Sequence, residues 1–175
     1  MKHSIFIVLL ISIFSCSLSA VAQEELLPSN SYTEPCETVG HGQFRFWVGN
    51  WNVYDTLGNQ VDTNKVQLIL RGCVLSENWT SSSFGNGKSY NSYDPELNSW
   101  FQTWVDQWGS TIHFKGHWVE TKMIFKAEKE DSTGTLHNLM TFTPLPNGEV
   151  VQNWCTTRDF ETWTSMFYGI YRRKE

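Results

Sequence analysis

Asn98-Ser99-Trp100-Phe101-Gln102-Thr103-Trp104-Val105-Asp106-Gln107-Trp108-Gly109 is the stretch whose reading decides the fold. In an extended chain, residues two apart share a face. Trp100, Gln102, Trp104 and Asp106 then stand on one side, and Phe101, Thr103 and Val105 on the other. No 3.6-residue apolar stripe competes with this alternation, and Trp108-Gly109 ends it with a turn. The same spacing, a polar side chain two residues before an indole, recurs at Glu77-Asn78-Trp79, Gln152-Asn153-Trp154, Asn98-Ser99-Trp100 and Glu161-Thr162-Trp163. Repeated on several strands, it sets amide and carboxyl groups beside aromatic plates on one face of a sheet.

Outward from this stretch, aromatic and β-branched residues are dense, and turn residues return about every ten positions. Strands are predicted over 44–55, 60–70, 73–83, 88–94, 99–107, 110–118, 121–129, 135–143, 149–157 and 163–173. Turn signals such as Leu57-Gly58-Asn59, Gly85-Asn86-Gly87 and Pro146-Asn147-Gly148 separate them. Helices are expected only as short pieces in loops. A meander of this length leaves two raw edges unless it closes on itself. The expected fold is therefore all-β, an antiparallel up-and-down barrel of about 8–10 strands over residues 44–175. A sandwich is the alternative, but it needs longer crossover connections.

Lys2, the apolar run Ile5–Phe14 and the small residues ending Ala20-Val21-Ala22 have the layout of a secretory signal peptide spanning 1–22. Residues 23–43, with Pro28, Pro35, Gly40 and Gly42, read as an irregular N-terminal arm. The expectation is an exported protein, periplasmic or secreted. Lipid anchoring at Cys16 is the alternative form of export, for which Ile13-Phe14-Ser15 is a poor lipobox because Phe14 is bulky. The net charge of −5, without basic clusters, argues against nucleic acid or an anionic membrane surface as partner.

Three cysteines lie beyond the predicted cleavage site, and an oxidising compartment allows one disulfide and one free thiol. Cys36–Cys73 is the expected pair, because Cys36 lies in a loop-like segment that needs tying down. Cys73–Cys155 is the alternative. An unpaired Cys155 reads as a small buried apolar residue rather than a nucleophile.

Phe44-Arg45-Phe46-Trp47-Val48-Gly49-Asn50-Trp51 contains a Gly-x-Trp, Gly49-Asn50-Trp51, on the first predicted strand. It resembles the signature of lipocalin and wider calycin barrels. With Gly72-Cys73-Val74-Leu75-Ser76-Glu77-Asn78-Trp79, Gln102-Thr103-Trp104-Val105-Asp106 and Gly169-Ile170-Tyr171-Arg172-Arg173, the chain resembles a group of uncharacterised exported bacterial proteins with a lipocalin-like barrel. The Thr-Asp-Tyr motif of true lipocalins is absent. The resemblance implies that Trp51 plugs one end of the barrel and that Arg172 or Arg173 packs across it, a cation–π contact of roughly 1 kcal/mol. It implies no activity.

In a small barrel alternate residues point inward. Glu77, Trp79, Asn91, Tyr93, Gln102, Trp104, Asp106, Gln152 and Trp154 are therefore the expected wall of a cavity. Such a wall suits a small, partly apolar or aromatic ligand, with stacking for area and amides for orientation. Two other readings stay open. Glu77 or Asp106, in an apolar surround, could act as general acid or base in a lyase, isomerase or hydrolase. Alternatively, the barrel is solid and serves as an interaction module. His113 and His117, four apart on a strand, are roughly 13 Å apart and too far to share a metal ion. No cofactor or metal is expected, and nothing in the sequence sets an oligomeric state.

Overall fold

The computed structural model describes residues 34–81, 83 and 85–175. The predicted signal peptide, Cys16 and the arm up to residue 33 lie outside the described residues. Among those described, ten strands follow one another: β1 (Gly49–Tyr54), β2 (Gln60–Ile69), β3 (Val74–Ser81), β4 (Gly87–Asp94), β5 (Ser99–Asp106), β6 (Thr111–Val119), β7 (Lys122–Asp131), β8 (Gly134–Pro144), β9 (Val150–Thr157) and β10 (Thr164–Arg173). Each pairs antiparallel with its neighbours in sequence, and β1 pairs with β10, so the sheet closes into an up-and-down barrel. Closure leaves no free edge.

Local chemistry builds the hairpins. At Asp55–Asn59 and again at Asp106–Ser110, an aspartate accepts backbone N–H groups two and four residues on, and a glycine at positive φ reverses the chain. The strands alternate as a half-buried sheet demands, β4 reading buried and exposed by turns from Gly87 to Asn91.

The predicted first strand, 44–55, is corrected at its start. Arg45–Trp47 is a 3-10 turn and Val39–Gly42 a short helix, α1; extended structure begins only at Gly49. In a 3-10 turn residues three apart share a face. Phe44 and Trp47 accordingly point together into the barrel and stack, their ring centroids 5.0 Å apart. Phe44 also meets Trp100, Phe125 and Phe142 at 5.0–5.7 Å, and Trp47 meets Phe142 at 4.6 Å. This aromatic plug closes the end reached by the β2–β3, β4–β5, β6–β7 and β8–β9 connections.

Trp51 belongs to the same end, donating its indole N–H to the Trp47 carbonyl at 2.9 Å. Of the two candidate arginines, Arg173 covers it, with its guanidinium carbon 4.5 Å from the ring centre and a hydrogen bond to the Val48 carbonyl. Arg172 lies instead over Tyr54 and pairs with Glu149. Cys36 and Cys73 are disulfide-bonded, tying the segment before the plug to the β2–β3 connection. Cys155 is a free thiol and only half-buried on the outward side of β9, which corrects its reading as a core residue. Its neighbours Trp154 and Thr156 take the inward positions.

Candidate functional site

At the other end the barrel is hollow. A cavity of about 270 Å³ opens between the β3–β4, β5–β6 and β9–β10 connections. Trp108 and Phe160, both about two-thirds exposed, stand on loops at that end. Three indoles stand in the wall: Trp79 from β3, Trp104 from β5 and Trp154 from β9. Phe114 and Phe167 join them, edge-on to Trp154 at 6.1 Å and to Trp79 at 5.2 Å, with Ile112, Met140 and Met166 adding aliphatic surface. Trp104 lies against β4 because Gly87 has no side chain; a Cβ there would stand 2.2 Å from the indole. The Trp154 N–H is taken by Asn138 Oδ1 at 3.0 Å.

The deeper wall is polar. Glu77 is 4% exposed and accepts hydrogen bonds from Asn64 Nδ2 at 2.8 Å and Ser89 Oγ at 2.6 Å. Behind it, Gln102 Nε2 donates to Asn91 Oδ1 at 2.7 Å, and Asn91 Nδ2 donates to Ser89 Oγ at 2.9 Å. The hydrogen bonds from Gln102 through Asn91 and Ser89, and from Asn64, run toward the Glu77 carboxyl across β2, β3, β4 and β5, and Asn91 Nδ2 also donates to the Leu75 carbonyl at 3.1 Å. Loss of hydration by burial pushes the Glu77 pKa up to about 7, and the hydrogen bonds from Ser89 and Asn64 oppose that rise only in part. Across the barrel, Gln152 accepts from the Tyr171 hydroxyl and donates to Met140 Sδ at 3.1 Å. Burial, and next the Glu77 charge, hold the Tyr171 pKa well above its ordinary value.

Seven of the nine expected wall residues meet at the cavity: Glu77, Trp79, Gln102, Trp104, Asp106, Gln152 and Trp154. Asn91 is fully buried behind them, linked to the cavity wall through Gln102 on one side and through Ser89 to Glu77 on the other. Tyr93 is at the closed end, beside His41 and Trp100, with its hydroxyl on Asn98 Oδ1. The polar-x-Trp rule therefore holds at three of its five occurrences. Asn98 is a turn residue with φ 46°, Trp100 is part of the plugged end, and Glu161 and Trp163 lie in the exposed loop before β10.

Asp106 is at the cavity, but its Oδ1 accepts the N–H groups of Trp108 and Ser110 and so holds the β5–β6 turn. The Asp-x-x-Gly spacing that it shares with Asp55-Thr56-Leu57-Gly58 was the available signal for this role. Sequence reasoning missed Asn64, Ser89 and Tyr171, which orient Glu77 and Gln152, and Phe114 and Phe167 in the wall. Alternation could have placed each on an inward face; only strand register could bring them together. His113 and His117 stand on the outer face, bonded to Thr103 and to the Asn98 carbonyl. Among the described residues, no three His, Cys, Asp or Glu side chains converge as a metal site.

The chain matches no protein-family model, and no curated protein matches it.

Proposed function

We propose that this chain is an exported barrel protein that binds a small, partly apolar or aromatic molecule in the cavity. The observation that carries the reading is the hollow itself, about 270 Å³ with three indole rings and two glutamine amides on its wall. Binding sites of this size combine apolar area with a few placed polar groups, and both are present. A solid interaction module would need no such space. The Cys36–Cys73 bond supports export, since disulfides persist in oxidising compartments. Arg173 over Trp51 supports kinship with lipocalin-like exported barrels.

The test is direct. Native mass spectrometry of the protein taken from its own host is expected to show retained small-molecule mass. Titration with that molecule should change tryptophan fluorescence saturably, and Trp104→Ala should weaken binding at least about tenfold, the scale of losing one aromatic wall. Absence of retained mass, together with a flat fluorescence response across a broad metabolite panel, would discard the reading.

Glu77 favours one second reading. A carboxyl with a pKa of about 7 inside a cavity is poised to exchange protons near neutrality. In an enzyme using it as general acid or base, Glu77→Gln would abolish turnover while ligand still bound.

A further inference from the structure

Resting on the reading of the cavity as a binding site, we propose that its ligand is an organic ammonium ion, a protonated or quaternary amine carried on a small apolar or aromatic body. Charge makes the first argument. Among the described residues, the side chains lining the cavity include two carboxylates, Glu77 and Asp106, and no lysine, arginine or histidine. A ligand carboxylate or phosphate would meet like charge there and no cation, only the neutral donors of indole, amide and hydroxyl groups.

The direction of the hydrogen bonds makes the second argument. Asn64 and Ser89 each give a hydrogen to a different oxygen of Glu77, the arrangement that suits the ionised carboxylate. Each oxygen keeps acceptor capacity for a further donor. At the far end of the relay, Gln102 spends its amide nitrogen on Asn91, which leaves its carbonyl oxygen as an acceptor at the cavity wall. Both ends of the polarised chain are therefore electron-rich toward the cavity.

Among the described residues, no cation pairs with this carboxylate. Asn64 on β2 and Ser89 on β4 touch it, and neither titrates. Asp62, two residues from Asn64 on the same face of β2, and Tyr171 on β10 are the titratable groups about it. Both are acids whose pKa is raised first of all by burial, so neither supplies a cation. An ammonium ion would supply that charge, and the faces of Trp79, Trp104 and Trp154 attract cations through the ring quadrupole.

The proposal separates four probes of similar size on the whole protein: benzyltrimethylammonium, 2-phenylethylammonium, neutral 2-phenylethanol and anionic 3-phenylpropanoate. Calorimetry at about pH 8 is expected to find both cations at least about tenfold tighter than the alcohol, with the carboxylate weakest. For the permanently charged benzyltrimethylammonium, affinity should fall by roughly tenfold or more between pH 8 and pH 5.5, because binding requires ionised Glu77 and is linked to release of its proton. Glu77→Gln should bring the cations down to the level of the alcohol. The pH series on the unmodified protein decides the matter even where that variant does not fold. Equal binding of alcohol and cations, or affinity for benzyltrimethylammonium that is unchanged or higher at pH 5.5, overturns the ammonium proposal and leaves the cavity reading standing. Failure of all four probes to bind also overturns the ammonium proposal, while the cavity reading falls only on the retained-mass and broad-panel fluorescence tests above.

Discussion

Glu77 is held between opposing effects at the scale of one residue: burial favours its neutral form, while two donors favour the ion. Its pKa rises from the ordinary 4.5 to about 7 on folding, so the folded protein holds this proton more tightly than the unfolded chain. The resulting stability is fully present below pH 4.5 and is lost as pH rises through 7. Across that window it is worth about 3 kcal/mol. Urea unfolding at pH 5 and pH 8 should therefore show the empty protein weakening as pH rises. Glu77→Gln should narrow the difference by about 2 kcal/mol; Asp62, also raised by burial, leaves a residual slope of the same sign. An unchanged difference would mean that Glu77 is not desolvated. Arg173 allows a second test. It covers buried Trp51 and bonds the Val48 carbonyl, whereas Arg172 makes an exposed ion pair. Arg173→Ala is expected to cost about 2 kcal/mol and Arg172→Ala less than half of that, read from unfolding midpoints.

At the scale of elements, the sequence placed all ten strands, because turn chemistry is local. Asp-x-x-Gly and Pro-Asn-Gly name their turns whatever surrounds them. The start of the first strand was misread for a physical reason. Phe44-Arg45-Phe46 alternates like a strand, but Phe44 and Trp47 are also three apart, and the open base of a closed barrel draws both inward. The register shift between Ser165 and Phe167 in β10 was likewise invisible, since a bulge answers to the partner strand and not to its own side chains. Gly87 tests how elements shape the cavity. Gly87→Ala puts a methyl group 2.2 Å from the Trp104 indole. It should cost about 1–3 kcal/mol of stability and shift the tryptophan emission, as Trp104 is pushed off β4 into the hollow. Unaltered emission would show that the ring does not rest on that strand.

For the whole molecule, closure between β1 and β10 and the disulfide between Cys36 and Cys73 do different work. Closure satisfies the two edges; the disulfide fixes the segment that leads into the plug. The bond spans 37 positions of chain. In the chain-entropy model, opening a loop of that length lowers stability by about 4 kcal/mol. Cys36→Ser with Cys73→Ser, or reduction of the native protein, should lower the thermal midpoint by roughly 8–16 °C on the usual scale for a domain of this size. Cys155→Ser should leave it nearly unchanged. A midpoint insensitive to reduction would count against the Cys36–Cys73 bond.

The sequence by itself determined the all-β class, the strand order, the turns and the inward face on which Glu77, Trp79, Gln102, Trp104, Gln152 and Trp154 stand, because alternation and turn propensity act over a few residues. It could not determine which polar-x-Trp pairs share one hollow, which end is stoppered, or that Asn64 and Ser89 would hold Glu77. Those depend on register between strands and on the first strand meeting the last, contacts between residues distant in the chain. A shift of one residue in any ladder would turn its inward set to solvent.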